Sequence, residues 1–213
     1  MTINYKFFEK ESMEGFMKKQ FLPSFVLITF GAYLVKKEVS PIYSFFVLWA
    51  LYFYSYYSHV VVHWIPKTIN PHLLHHTDDE IPFLLNLAIE GSVNAFFFVL
   101  LYYAQLYSGI EIFPPILILY YCIIYVSVHL INFSIFGKEK NHEKHHHAKD
   151  KKFCNYGPDT IDHFLGTNCD KTWADHTHYF PNILASFYIC YFIYKKKEVI
   201  QMTNTLLKSL YLM

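Results

Sequence analysis

The chain has 213 residues, of which 54% are hydrophobic, 20% aromatic and only 16% charged. One domain is the default at that length, and the composition is too apolar for an ordinary soluble core. A net charge of +1, built on eighteen lysines and no arginine, excludes a general field for nucleic acid and bidentate arginine readout of bases or phosphates.

In chain order, charged residues interrupt the N-terminal stretch MTINYKFFEKESMEGFMKK, so no cleaved signal peptide is expected. A short apolar run follows from Gln20 to Val35. Three longer runs without Asp, Glu, Lys or Arg then cover Val39–Pro66, Gly91–Ile110 and Ile112–Phe136. Each meets the ~20 residues that a helix needs to cross a hydrocarbon core. Trp49, Tyr52, Tyr54, Tyr56, Tyr57 and Trp64 crowd one run and its end, as at a membrane interface. Gly109 and Pro114–Pro115 punctuate a tight turn without lysine. A last short run covers Tyr179–Tyr194. A soluble helical core with three such runs would lack the polar surface to cover them.

These runs predict an all-α fold: an integral membrane four-helix bundle with a cytosolic-face helical cap that carries the histidines. The expected division is an N-terminal segment 1–38, a catalytic domain 39–178 and a C-terminal interfacial or re-entrant helix and tail 179–213. Lys18, Lys19, Lys67, Lys138–Lys152 and Lys195–Lys197 are expected on the cytosolic side, with both termini there. Lys36 and Lys37 then fall outside, against the rule. Cys122, Cys154, Cys169 and Cys190 form no CxxC pair, so no disulfide framework is expected, and Cys122 and Cys190 read as small buried hydrophobes.

All thirteen histidines lie between His59 and His178. On a helix, residues three and four apart share a face. His59 and His63 therefore project together, as do His72, His75 and His76, and again His142, His145 and His146. His129 stands in an apolar run, where a histidine is costly unless ligated or paired. Imidazole suits iron, zinc, copper and nickel. Nine such nitrogens at one membrane face point to two metals.

The segment NHEKHHHAKD admits other readings. As a low-complexity metal scavenger it leaves HVVVH and HLLHH unexplained. As HExxH it is an integral membrane zinc metalloprotease, with His142 and His146 on zinc and Glu143 activating water. A non-catalytic membrane metal-binding protein is a further alternative.

The ordered set His59-x-x-x-His63, His72-x-x-His75-His76, His129 and His142-x-x-His145-His146 resembles the fatty acid hydroxylase/sterol desaturase superfamily of membrane di-iron oxidases. Asn155-Tyr156-Gly157, then Asp162 ahead of Leu165-Gly166-Thr167, is similar to the family's NYG and FGT tail. Pro82-Phe83 and Glu90-Gly91 look like two further family steps. The likeness covers roughly positions 40 to 170. Leu165 departs from the usual phenylalanine, and Asn132 and Phe133 stand where some members carry another histidine.

The resemblance implies two iron ions held by His59, His63, His72, His75, His76, His129, His142, His145 and His146, O2 as co-substrate and electrons from an external donor. It implies hydroxylation or desaturation of an unactivated C–H bond of a lipid, sterol or fatty acyl, in the endoplasmic reticulum membrane. Glu90, Asn155 and Asp162 are candidates to position the ligands, with Asn155 and Tyr156 read as a turn that orients the last box. Asp78, Asp79 and Asp159 are further carboxylates in reach. No HPGG or GxGxxG stretch occurs, so a separate partner such as cytochrome b5 is expected to bring the electrons. His176 and His178 lie beyond the match and read as interfacial or solvated, with a role at the pocket as the alternative.

Overall fold

A computed structural model describes residues 4–75, 81–137, 144–145, 154–169 and 172–211 of the chain, with side chains omitted at 67, 74, 75 and 198–211. Its helices are α1 (Lys10–Lys19), α2 (Phe21–Val35), α3 (Pro41–Val62), α4 (Pro71–His75), α5 (Phe83–Ser108), α6 (Pro115–Ser127), α7 (Asp159–Leu165) and α8 (Phe180–Tyr211). A π-helical stretch, Val128–Ile135, continues α6. Among the described residues there is no strand.

Local chemistry sets the boundaries. The Ser40 hydroxyl accepts from the Tyr43 N–H at 3.2 Å, and Pro41 opens α3 where no amide partner is needed. Gly109, at φ 68°, ends α5 in the left-handed conformation that a side chain resists. Pro115 then opens α6.

Among the described residues, three helices are long and apolar enough to cross a membrane, Pro41–Val62, Phe83–Ser108 and Pro115–Ile135, as in a membrane protein. α6 packs against α2, α3, α5 and α8. Their shared core holds Leu27, Leu48, Leu51, Leu117, Ile183 and Cys190, all buried. α5 instead exposes Leu84, Phe96, Val99, Tyr103 and Leu106, a face suited to acyl chains rather than water. α2 and α3 approach closely at Gly31, where an added Cβ would lie 2.7 Å from Leu48 Cδ1.

Successive long helices run antiparallel. The Tyr54 hydroxyl bonds the Phe97 carbonyl at 2.6 Å, tying α3 to α5. The Tyr43 hydroxyl reaches the Ile112 carbonyl in the turn after α5. Asn182 Nδ2 donates to Ser127 Oγ at 3.1 Å, and Phe187 packs on Phe30, so α8 starts where α6 ends. The start of α2, the end of α3, the start of α5, the end of α6 and the start of α8 share one end of the molecule.

Lys36 and Lys37 lie at the opposite end, as the four-span arrangement expects. Lys195–Lys197 lie there too, which corrects their expected grouping with the histidine-side lysines. Counting charges ignores the packing of Ile183 and Cys190, which carries α8 down the length of α6.

The cysteines bring a second difference. Cys154 and Cys169 form a disulfide across fifteen positions, with Cα atoms 5.2 Å apart. Cys190 is buried and Cys122 partly so, in keeping with their reading as hydrophobes.

Candidate metal centre

At one end of the molecule, α3 presents His59 and, just past its last residue, His63. The four-residue spacing stacks their rings, with centroids 5.1 Å apart. The chain then turns sharply, and Asn70 fixes the turn. Its buried side chain donates to the Val62 and Ile65 carbonyls at 2.6 and 3.3 Å and accepts from the His72 N–H at 3.0 Å. One amide thus closes α3, opens α4 and aims His72 back at α3. His145 arrives from the described pair 144–145.

The four Nε2 atoms of His59, His72, His63 and His145 make a closed ring. Its edges in that order are 3.0, 3.2, 3.1 and 3.1 Å. A square of that edge has its centre roughly 2.2 Å from each corner, close to the ~2.0–2.1 Å of a metal–imidazole bond. These four side chains can hold a metal ion.

Their tautomers say the same. His59 Nδ1 faces the Tyr156 carbonyl, and His145 Nδ1 faces the Cys154 carbonyl at 2.7 Å. A carbonyl only accepts, so both Nδ1 atoms carry the proton. In neutral rings both Nε2 atoms then present lone pairs, and these face each other at 3.1 Å. A cation between them relieves that repulsion. Donation of the second ring nitrogen to a backbone carbonyl is also the usual support of a metal-bound histidine. Burial, then the nearby His145, holds His63 down at about 3, so it is neutral and ready to ligate at pH 7.

The loop that supplies both carbonyls is itself held. Asp162 is buried and accepts from the Tyr156 N–H at 3.0 Å, the Gly157 N–H at 2.6 Å and Thr167 Oγ1 at 2.7 Å. Burial pushes its carboxyl up to about 7, against the downward pull of these three donors. The Tyr56 hydroxyl on α3 donates to Thr167 Oγ1 at 3.0 Å. Asn155 adopts φ 56°, which asparagine tolerates, and its Oδ1 accepts from the Cys169 N–H at 2.8 Å.

Other expected site residues fall elsewhere. His129 lies on the π-helical stretch, donates from Nδ1 to the Tyr125 carbonyl at 2.8 Å and stands outside the four-histidine group. Glu90 is buried on α5 and accepts from the Ser134 hydroxyl, which ties α5 to that stretch. Asn132 donates to the His178 carbonyl at 2.8 Å. His75 ends α4, and its side chain lies outside the described set. His76, His142, His146, Asp78 and Asp79, with Glu143 of the HExxH reading, lie outside the described residues.

Compared with known proteins, the chain matches no protein-family model, no curated protein and no solved structure.

Several site residues were not anticipated. Asn70 was signalled only by its place before Pro71, a common start of a helix. The Cys154–Cys169 bond had no spacing motif. His176, expected to be interfacial or solvated, is buried, and burial followed by its neighbour His178 holds it at about 3. With His129 and Tyr156 it lines a cavity between α2, α3, α6 and the 155–179 stretch.

Proposed function

We propose that the protein is a membrane metal-dependent oxidase that uses O2 and two external electrons to hydroxylate or desaturate an unactivated C–H bond of a lipid. One observation supports the reading most: four imidazoles converge at a membrane end, beside a largely apolar cavity. Soft-donor alternatives are absent from that group, and an all-imidazole set suits iron among other first-row metals.

In this reading the long helices form the membrane bundle and the histidine end is its cytosolic cap, in the endoplasmic reticulum. His59, His63, His72 and His145 hold metal, with His129 and the remaining box histidines completing a two-iron centre. Iron held there would activate O2, the oxidant, a chemistry that protein side chains lack. The chain's own residues do the rest. The Tyr156 and Cys154 carbonyls fix two ring orientations. Asp162 and Thr167 fix the loop that bears those carbonyls. Leu27, Tyr52, Ile124, Val128 and Phe133 line the cavity, exclude water and favour an aliphatic substrate. The electrons come from a partner such as cytochrome b5 or a similar carrier, docked at the histidine end.

The gathering of His145 with the two upstream boxes favours this reading over the zinc metalloprotease, which needs only His142, His146 and one further ligand. The test is metal analysis of the purified protein together with lipid analysis of expressing cells. The expected result is about two irons per chain, by the resemblance to histidine-box oxidases, and an oxidised lipid that His72→Ala abolishes and Glu143→Gln leaves intact. One zinc per chain, with Glu143→Gln inactive and His72→Ala active, overturns it.

A further inference from the structure

The cavity beside the histidines has a volume of about 90 Å³ and is half open to its surroundings. Its wall is aliphatic and aromatic except for His129, whose Nδ1 donates to the Tyr125 carbonyl, and for a group of four, Asn155, Asp159, Asp162 and His176. Three of these four polar groups are engaged. Asp162 receives the three donors described above. Asp159 Oδ2 accepts from Gln20 Nε2 at 3.1 Å and from the Ala174 N–H at 3.0 Å. Asn155 Oδ1 accepts from the Cys169 N–H.

His176 differs. It is only 7% exposed. Its ring lines the cavity and stacks on Tyr179, with centroids 4.1 Å apart, and no hydrogen bond from its ring nitrogens is seen among the described residues. A ligand group in the cavity would give those nitrogens a partner. A neutral imidazole offers one donor and one acceptor, and a hydroxyl offers the same pair in return. The rest of the wall selects against charge. No lysine lines the cavity, and two carboxyl groups do. A carboxylate, sulfate or phosphate head would enter beside Asp159 and Asp162 with no counter-charge.

We propose that this cavity binds an aliphatic lipid through an uncharged hydroxyl held by His176, with the chain extending toward His129 and the four-histidine group. The inference rests on the lipid-oxidation reading only for calling that lipid a substrate. It makes His176 a binding residue that sets specificity for hydroxylated over anionic lipids.

The test is equilibrium binding to the full-length protein as purified, in phosphatidylcholine nanodiscs held anaerobically so that nothing turns over. The probes are radiolabelled 1-hexadecanol, hexadecane and hexadecyl sulfate, which stays anionic at all working pH. Saturable hexadecanol binding is expected, with hexadecane and hexadecyl sulfate each at least about tenfold weaker, the scale of one lost hydrogen bond or more. His176→Leu should weaken hexadecanol by a similar factor, and His176→Gln, which keeps a donor and an acceptor, should retain most of it. Equal binding of hexadecyl sulfate overturns the proposal without any variant. Unchanged hexadecanol binding in His176→Leu overturns it too. Because no turnover is read, hexadecanol binding through His176 in a protein that consumes no oxygen upholds this inference and removes only the oxidase reading.

Discussion

At Asp162 three donors meet one buried carboxyl, from Tyr156, Gly157 and Thr167. Its folded pKa of about 7 lies above the ordinary 3.8. Such a group supports the fold fully below 3.8 and withdraws that support as pH rises through about 7. His63 and His176, both held near 3, act in the opposite sense and withdraw support as pH falls. Melting temperature against pH for wild type minus Asp162→Asn isolates the carboxyl. That difference should decline as pH rises across this window, and a flat difference contradicts the assignment. Asn70 makes a second prediction at this scale. Asn70→Ala removes the bonds to the Val62 and Ile65 carbonyls and to the His72 N–H. It should cost about 1–3 kcal/mol of stability and about 10–100-fold in metal affinity. Denaturant melts and metal titration read the two effects separately, and a loss of stability with metal affinity unchanged removes Asn70 from the site.

Between elements, the disulfide closes the segment that runs from the Cys154 carbonyl through α7 to Thr167 and Cys169. Closing a loop of that length stabilises by ~3 kcal/mol in the chain-entropy account. Cys169→Ser should lose a comparable amount, seen as a lower melting temperature that reductant no longer changes. How far these features could be read from the sequence follows from range. The pairing of His59 with His63 is a property of one helix, and the three long apolar runs are a property of composition. Both were legible, as was the tight turn at Gly109. The meeting of α3, α4 and His145 is not local, and only the order of the boxes hinted at it. Nothing in VSVHLINFSI marks a π-helix, and the contact of that stretch with Glu90 on α5 through Ser134 is not local in sequence. The Cys154–Cys169 bond likewise depends on where α7 returns the chain.

The whole molecule has two chemically different ends. The four histidines, Lys144 and the start of α2 share one; Lys36, Lys37, the Gly109 turn and Lys195–Lys197 share the other. Single cysteines at Lys37 and Lys196 should therefore react with an impermeant maleimide from one side of sealed vesicles, and a cysteine at Lys144 from the other. Labelling of Lys144 and Lys196 from the same side contradicts the path of α8. At the histidine end, the two carbonyls that steady His59 and His145 belong to residues 154 and 156, two steps apart on a single piece of main chain. Whatever tilts that piece loosens a pair of ligands in one stroke. Chelator titrations should accordingly show the ion leaving in an abrupt, all-or-none manner, with no stable species that keeps half its grip.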